Sequence, residues 1–221
     1  MNQFYRSRRG STAFGVLLIV VLFVLAGQNT FSDLFANFLV DLRPSCENAR
    51  GVTAREAHQS LIARAVSQRR SPFRVELEIG AYPTTPEEAL VVRIILTNTS
   101  MGTIPFLLSG GVAVNNPAID GFGLLTTTAQ VTAPASTNAP IPESNIRLLV
   151  PLQTCVQYLT LSVSDLQTFG INPGSVLRAY YRNGATGLIQ TSNPGIFADH
   201  GLWTGVVESA SEAVPITSSA N

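Results

Sequence analysis

The chain has 221 residues, 45% of them hydrophobic and 13% charged, with a net charge of zero. That length holds one ordinary domain plus an anchor, and that balance excludes a disordered chain and argues against a nucleic-acid binder. All 14 basic residues are arginine and they are unevenly placed: three with no acid in residues 1–10, six against Glu47 and Glu56 in 43–70, and five against ten acids in 73–221.

Residues 1–10 read as a basic cytoplasmic tail carrying Arg6, Arg8 and Arg9. Residues 11–32 hold no charge, and Leu17–Leu25 is almost purely aliphatic and aromatic. A bilayer core asks for about 20 apolar residues in a helix, which this run supplies if it extends into Gly27-Gln28-Asn29-Thr30. Arginines before it and Asp33 and Asp41 after it put the N-terminus in the cytoplasm and the bulk of the chain outside. A cleaved signal has the same layout, with Val24-Leu25-Ala26 as its cleavage site. The length of the run, and the apolar stripe directly behind it, read instead as a retained anchor.

In that stripe Phe31, Leu34, Phe35, Phe38, Leu39 and Leu42 recur at helical spacing and share one face. Such a face lies at the membrane interface, docks on the helices of other membrane subunits, or packs under this protein's own domain. Arg8–Gly27 (RRGSTAFGVLLIVVLFVLAG) resembles the N-termini of pilin-like and TadE-like proteins, in which Arg-Gly precedes a small residue and a long apolar helix. Those families carry a glutamate early in that helix, whereas no acid occurs here before Asp33.

Residues 33–72 read as a juxtamembrane helical linker. Pro44 ends its first part, since proline cannot continue a helix interior. Thr53-Ala54-Arg55-Glu56 has the form of a capping box. Ala54, Ala57, Leu61, Ile62, Ala65 and Val66 then make a narrow apolar face, with Arg69 and Arg70 in the last turn where cations suit the helix dipole. A helix of this kind either touches anionic headgroups or an acidic partner, or packs on its own domain with its arginines solvated.

From Phe73 the period changes to two. Phe73, Val75, Leu77 and Ile79 alternate with Arg74, Glu76 and Glu78, the mark of a half-buried strand. Leu90–Leu96 is apolar on nearly both faces and reads as a central strand. Further strands are expected at Ile104–Leu108, Gly123–Thr128, Ile146–Val150, Val156–Val163, Val176–Tyr181, Gly187–Thr191 and Trp203–Val207, with no helix after Arg70. Residues 73–212 are therefore expected to form an extracytoplasmic antiparallel β-sandwich. Thr126–Asn145, rich in Thr, Ala, Pro and Ser, reads as an exposed loop or hairpin, and residues 213–221 as a flexible tail.

The strand ending VVRIILTNTS and the Pro-Gly before a late tyrosine-bearing strand in GINPGSVLRAYYRNG resemble bacterial immunoglobulin-like modules. That resemblance implies an immunoglobulin-like sandwich with a binding or spacing role, and a tyrosine-corner role for Tyr180 or Tyr181.

Cys46 and Cys155 are the only cysteines. In an oxidising compartment they read as a disulfide from the juxtamembrane segment to a mid-domain strand; the alternative is two thiols, with Cys155 a small buried apolar residue. His58 and His200 are the only histidines, and no late His-x-x-Met cluster completes a copper site. Asp199-His200 lacks a nucleophile elbow. No P-loop, CxxC or GxGxxG occurs. The expectation is a non-enzymatic membrane protein without cofactor, metal, nucleic acid or small-molecule substrate. Its partners would be membrane lipid and other membrane subunits. Tyr158, Tyr180, Tyr181 and Trp203 are candidates for an aromatic binding surface, with packing as their alternative fate.

Overall fold

A computed structural model describes residues 43–51, 71–126, 128–132, 134, 141–185 and 202–216. Apart from Arg43 these belong to one compact unit, Pro44–Asn221. The fold is mainly β, with antiparallel sheets and little helix. The expected span (11–32), the stripe from Phe31 to Leu42, the topology arginines Arg6, Arg8 and Arg9, the arginine-rich helix at 53–70 and the strand at Gly187–Thr191 lie outside the described residues.

Eleven strands are present among the described residues: β1 (Arg50–Gly51), β2 (Phe73–Ile79), β3 (Ala89–Asn98), β4 (Ile104–Leu107), β5 (Val112–Val114), β6 (Gly121–Leu125), β7 (Ile146–Leu149), β8 (Thr154–Ser162), β9 (Val176–Asn183), β10 (Gly205–Glu208) and β11 (Glu212–Ala213). They form three sheets in the orders β2-β3-β8, β10-β9-β6-β5 with β11 also on β9, and β1-β7-β4. β3 is indeed central, pairing antiparallel with β2 from Ile79↔Val92 to Phe73↔Asn98 and with β8 from Ala89↔Ser162 to Thr97↔Thr154.

The pleat sorts the side chains. Phe73, Val75 and Leu77 on β2, the even-numbered apolar residues of β3 from Leu90 to Leu96, and Cys155 and Leu161 on β8 all fall on one face and are buried. That face meets Phe122, Leu124, Leu177, Ala179 and Tyr181 from the second sheet and Phe106 from the third. Tyr181 stands at the junction. Its ring is met edge-on by Phe73 (centroids 5.6 Å apart) and Phe106 (6.3 Å), and stacked by Trp203 (6.4 Å). Burying one such side chain contributes about 1.5–3 kcal/mol, so this junction is a major part of what holds the three sheets together.

Several expectations are corrected. A helix does follow Arg70: α1 (Val163–Phe169) continues directly from β8. Ser162 caps it, Asp165 completes the capping box, and Gly170 ends it in the left-handed region at φ 66°. The pairing is not wholly antiparallel, because β5 runs parallel to β6. Parallel neighbours ordinarily need a crossover of a dozen residues or more. Here a three-residue strand spans only about 10 Å, a gap that the intervening residues 115–120 can retrace. The segment after Thr126 is not all exposed. Val131 packs with Leu125 and Tyr180, and Ile141 joins Leu107, Ile146 and Leu148. Nor is the tail free from residue 213: Ala213 pairs with Val176 and Val214 is buried, its N–H donating to Ser175 O at 2.9 Å.

Candidate interaction site

The two cysteines do meet. Cys46 and Cys155 form a disulfide across 109 residues of sequence, with Cα atoms 4.8 Å apart and both side chains fully buried. The alternative of two thiols is thereby overturned. Backbone pairing extends the attachment: Val156 N–H donates to Pro44 O at 3.0 Å, and Ser45 forms a parallel bridge with Val156.

The chain then makes a single 3₁₀ turn, Cys46–Asn48, started by Ser45 Oγ accepting Glu47 N–H. It leaves as β1, where Arg50 and Gly51 pair antiparallel with Leu148 and Arg147 of β7. Arg147 locks the crossing by donating from Nε to Glu47 O at 3.3 Å. Pro44–Gly51 is thus a strap from the edge of β8 to the edge of β7, not part of a helical linker. It pairs with backbone on two strands that would otherwise be open edges.

A second knot lies beside the strap. Asn98 is fully buried at the end of β3. Its Nδ2 donates to Gly102 O (2.7 Å) and Leu149 O (2.8 Å), and its Oδ1 accepts from Ser100 N (2.9 Å) and Ser100 Oγ (2.8 Å). Its backbone accepts from Leu152 N and donates to Gln153 O, both at 3.0 Å. One residue therefore fixes two turns, Thr99–Gly102 and Val150–Gln153. Pro72 O accepts from Thr99 N at 2.8 Å, which holds the residue before β2 at the same end.

The aromatic candidates divide. Tyr181 is fully buried and shares hydrogen bonds with the Leu107 backbone, its Oη accepting from N at 2.8 Å and donating to O at 3.3 Å. That partner is 74 residues away, so Tyr181 is no tyrosine corner, whose bond is local. Tyr180 points to the other face, covers Gly123, and donates to Asn116 O at 2.6 Å. Burial pushes both phenols above their ordinary range. Trp203 stacks on Tyr181, leaving Tyr158 as the exposed member of the set. A cleft of about 200 Å³ is lined by Thr126, Thr128, Val176, Arg178 and Ser211. Its Arg178 is occupied by Glu208 (Nε to Oε2, 2.9 Å) and by Ala129 O. His58, Asp199 and His200 lie outside the described residues.

Sequence reasoning missed Asn98 as a structural centre. It also missed Ser209, whose Oγ accepts from Ala179 N at 2.9 Å where the β9 edge passes from β10 to β11. Nothing in the local sequence distinguishes that serine from its neighbours. Among the described residues no helix is long and apolar enough to cross a membrane. The chain matches no family model, no curated protein and no solved structure.

Proposed function

We propose that this chain is a non-catalytic, single-pass membrane protein whose immunoglobulin-like β-sandwich is held outside the cytoplasm. In this reading residues 11–32 are the anchor, with Arg6, Arg8 and Arg9 setting its orientation. Phe31, Leu34, Phe35, Phe38, Leu39 and Leu42 dock on the subunits of a larger membrane complex, respiratory or photosynthetic, in which the chain is an accessory subunit.

The observation that carries the reading is the buried Cys46–Cys155 disulfide. A disulfide of this kind belongs to an oxidising compartment. It begins three residues after Arg43, so it grips the chain directly behind the apolar stripe. A joint there transmits the position of an anchor to the β body with little slack. The body's large aromatics are mostly spent on packing, which argues against a peptide- or sugar-binding module.

Mild-detergent purification of the full chain followed by mass spectrometry tests this. Membrane subunits that stay bound, and lose their grip when the Phe31–Leu42 stripe is made polar, support it. A self-polymer would indicate instead a pilus-like or cell-surface component, and a mature terminus beyond Ala26 would remove the anchor altogether.

A further inference from the structure

The two turns that Asn98 ties together carry apolar side chains that face solvent. Met101 is 89% exposed, Leu152 73% and Val150 44%. Neither Thr99–Gly102 nor Val150–Gln153 contains a charged residue. Leu152 is the more telling. Its φ is 61°, in the left-handed region, after Pro151 in a turn closed by Gln153 N–H donating to Val150 O at 3.0 Å. This position favours glycine, because a Cβ is strained there. A leucine that adds strain and contributes little to the core is an outlier that points to a contact outside the body.

The position of these tips says what that contact is. Gln153 lies two residues from Cys155, and Val156 holds the incoming chain at Pro44. Pro72 is held at the same end, its carbonyl accepting from Thr99 N–H two residues before Met101. The uncharged run ends at Ser32 and the apolar stripe at Leu42, directly ahead of Arg43. The tips therefore sit at the end of the body where the chain enters at Pro44.

We propose that Met101, Val150 and Leu152 form an apolar rim that dips into the lipid interface, seating the β body on the bilayer. The rim rests on the anchored reading and gives the body a second attachment besides the chain itself. Apolar side chains on a rigid edge, free of charge, suit the boundary between headgroups and acyl chains. Because one asparagine holds both turns, the rim meets the membrane as a unit. Val176 and Ile216 are also exposed apolar residues. Tyr181 is the β9 residue that meets Phe73, while Val176 begins that strand and Ile216 lies beside Gly174, so both serve as the internal comparison at the opposite end.

The full chain is reconstituted into phosphatidylcholine–phosphatidylglycerol vesicles bearing Met101→Cys, Leu152→Cys or Val176→Cys, each labelled with an environment-sensitive fluorophore. The native cysteines are buried in their disulfide and stay unlabelled. The labels at 101 and 152 should shift to the blue and lose intensity to shallow spin-labelled lipid, while that at 176 should do neither. Equal quenching at all three positions, or none at 101 and 152, would overturn the rim. Shielding from aqueous iodide without quenching by lipid would overturn it in favour of a protein partner.

In the Met101→Cys background, Leu152→Gly should weaken lipid quenching while the melting temperature holds or rises. Unchanged quenching would remove Leu152 from the rim. Carbonate extraction separates this proposal from the anchored reading. If the chain is extracted, the anchor fails, and quenching by added vesicles still decides the rim: confined to 101 and 152 it supports the contact, and absent it ends it.

Discussion

The two ends of the β body are closed by different chemistry. At the disulfide end the chain is held by a covalent bond, strand pairing and the neutral amide of Asn98. At the helix end, where β2 and β8 finish, carboxylates do the work. Asp165 accepts from Ser162 Oγ at 2.6 Å and Ser162 N at 2.9 Å, and Glu88 accepts from Thr84 N at 2.7 Å and Thr84 Oγ1 at 3.1 Å. The strap at one end should therefore respond to reductant, and the helix at the other to acid.

The strongest test removes the disulfide. Cys46→Ala with Cys155→Ala should cost about 4–5 kcal/mol on the chain-entropy model for so long a loop, read as a lower midpoint in denaturant. Hydrogen exchange should show 44–51 released before 163–169. Simultaneous loss at both ends would show that the two are one cooperative unit.

Asn98→Ala comes next, at about 1–3 kcal/mol, because it strands the buried Leu149 carbonyl that its amide satisfies. Thermal melts give the magnitude, and exchange at 99–102 and 150–153 should rise together. Leu152→Gly should stabilise by up to about 1 kcal/mol, relieving the left-handed leucine while losing little packing. A melting temperature that fell instead would place the leucine in the body's own packing.

The smallest effect is that of acid. Ser162's hydroxyl, then its N–H, hold the Asp165 carboxyl below its ordinary value, and the Thr84 N–H, then its hydroxyl, do the same for Glu88. For groups lowered in this way the stabilisation is complete above the ordinary carboxylate range, near pH 4, and is lost as pH falls through the lowered values. Amide protection across 163–169 should drop as pH falls below the ordinary carboxylate range while 44–51 keeps its own. Asp165→Asn should abolish that pH dependence in the helix.

The period-two pattern of Phe73–Ile79 and the doubly apolar Leu90–Leu96 were sufficient to read a half-buried strand and a central one, because burial on one face or two leaves a direct mark on composition. The cysteine pair was legible for a similar reason: two cysteines and an expected oxidising side leave few arrangements. Less was legible where structure hangs on distant partners. The helix at Val163–Phe169 is two turns long and continues a strand's alternation, which hides its Ser162–Asp165 box. Pro44–Gly51 has no strand pattern of its own, since pairing with β7 and β8 defines it.

By itself the sequence determined the charge-free run at 11–32, the switch to strand periodicity at Phe73 and the two cysteines available for pairing. These come from local spacing and composition, which need no partner to be read. Only the tertiary structure decided that β5 and β6 run parallel, that one strap serves two sheets, that Tyr181 is a core residue and that Asn98 ties together the turns bearing Met101 and Leu152. Each of those depends on residues far apart in the chain meeting in space, where the register of the strands, and not the identity of any single residue, selects the neighbour.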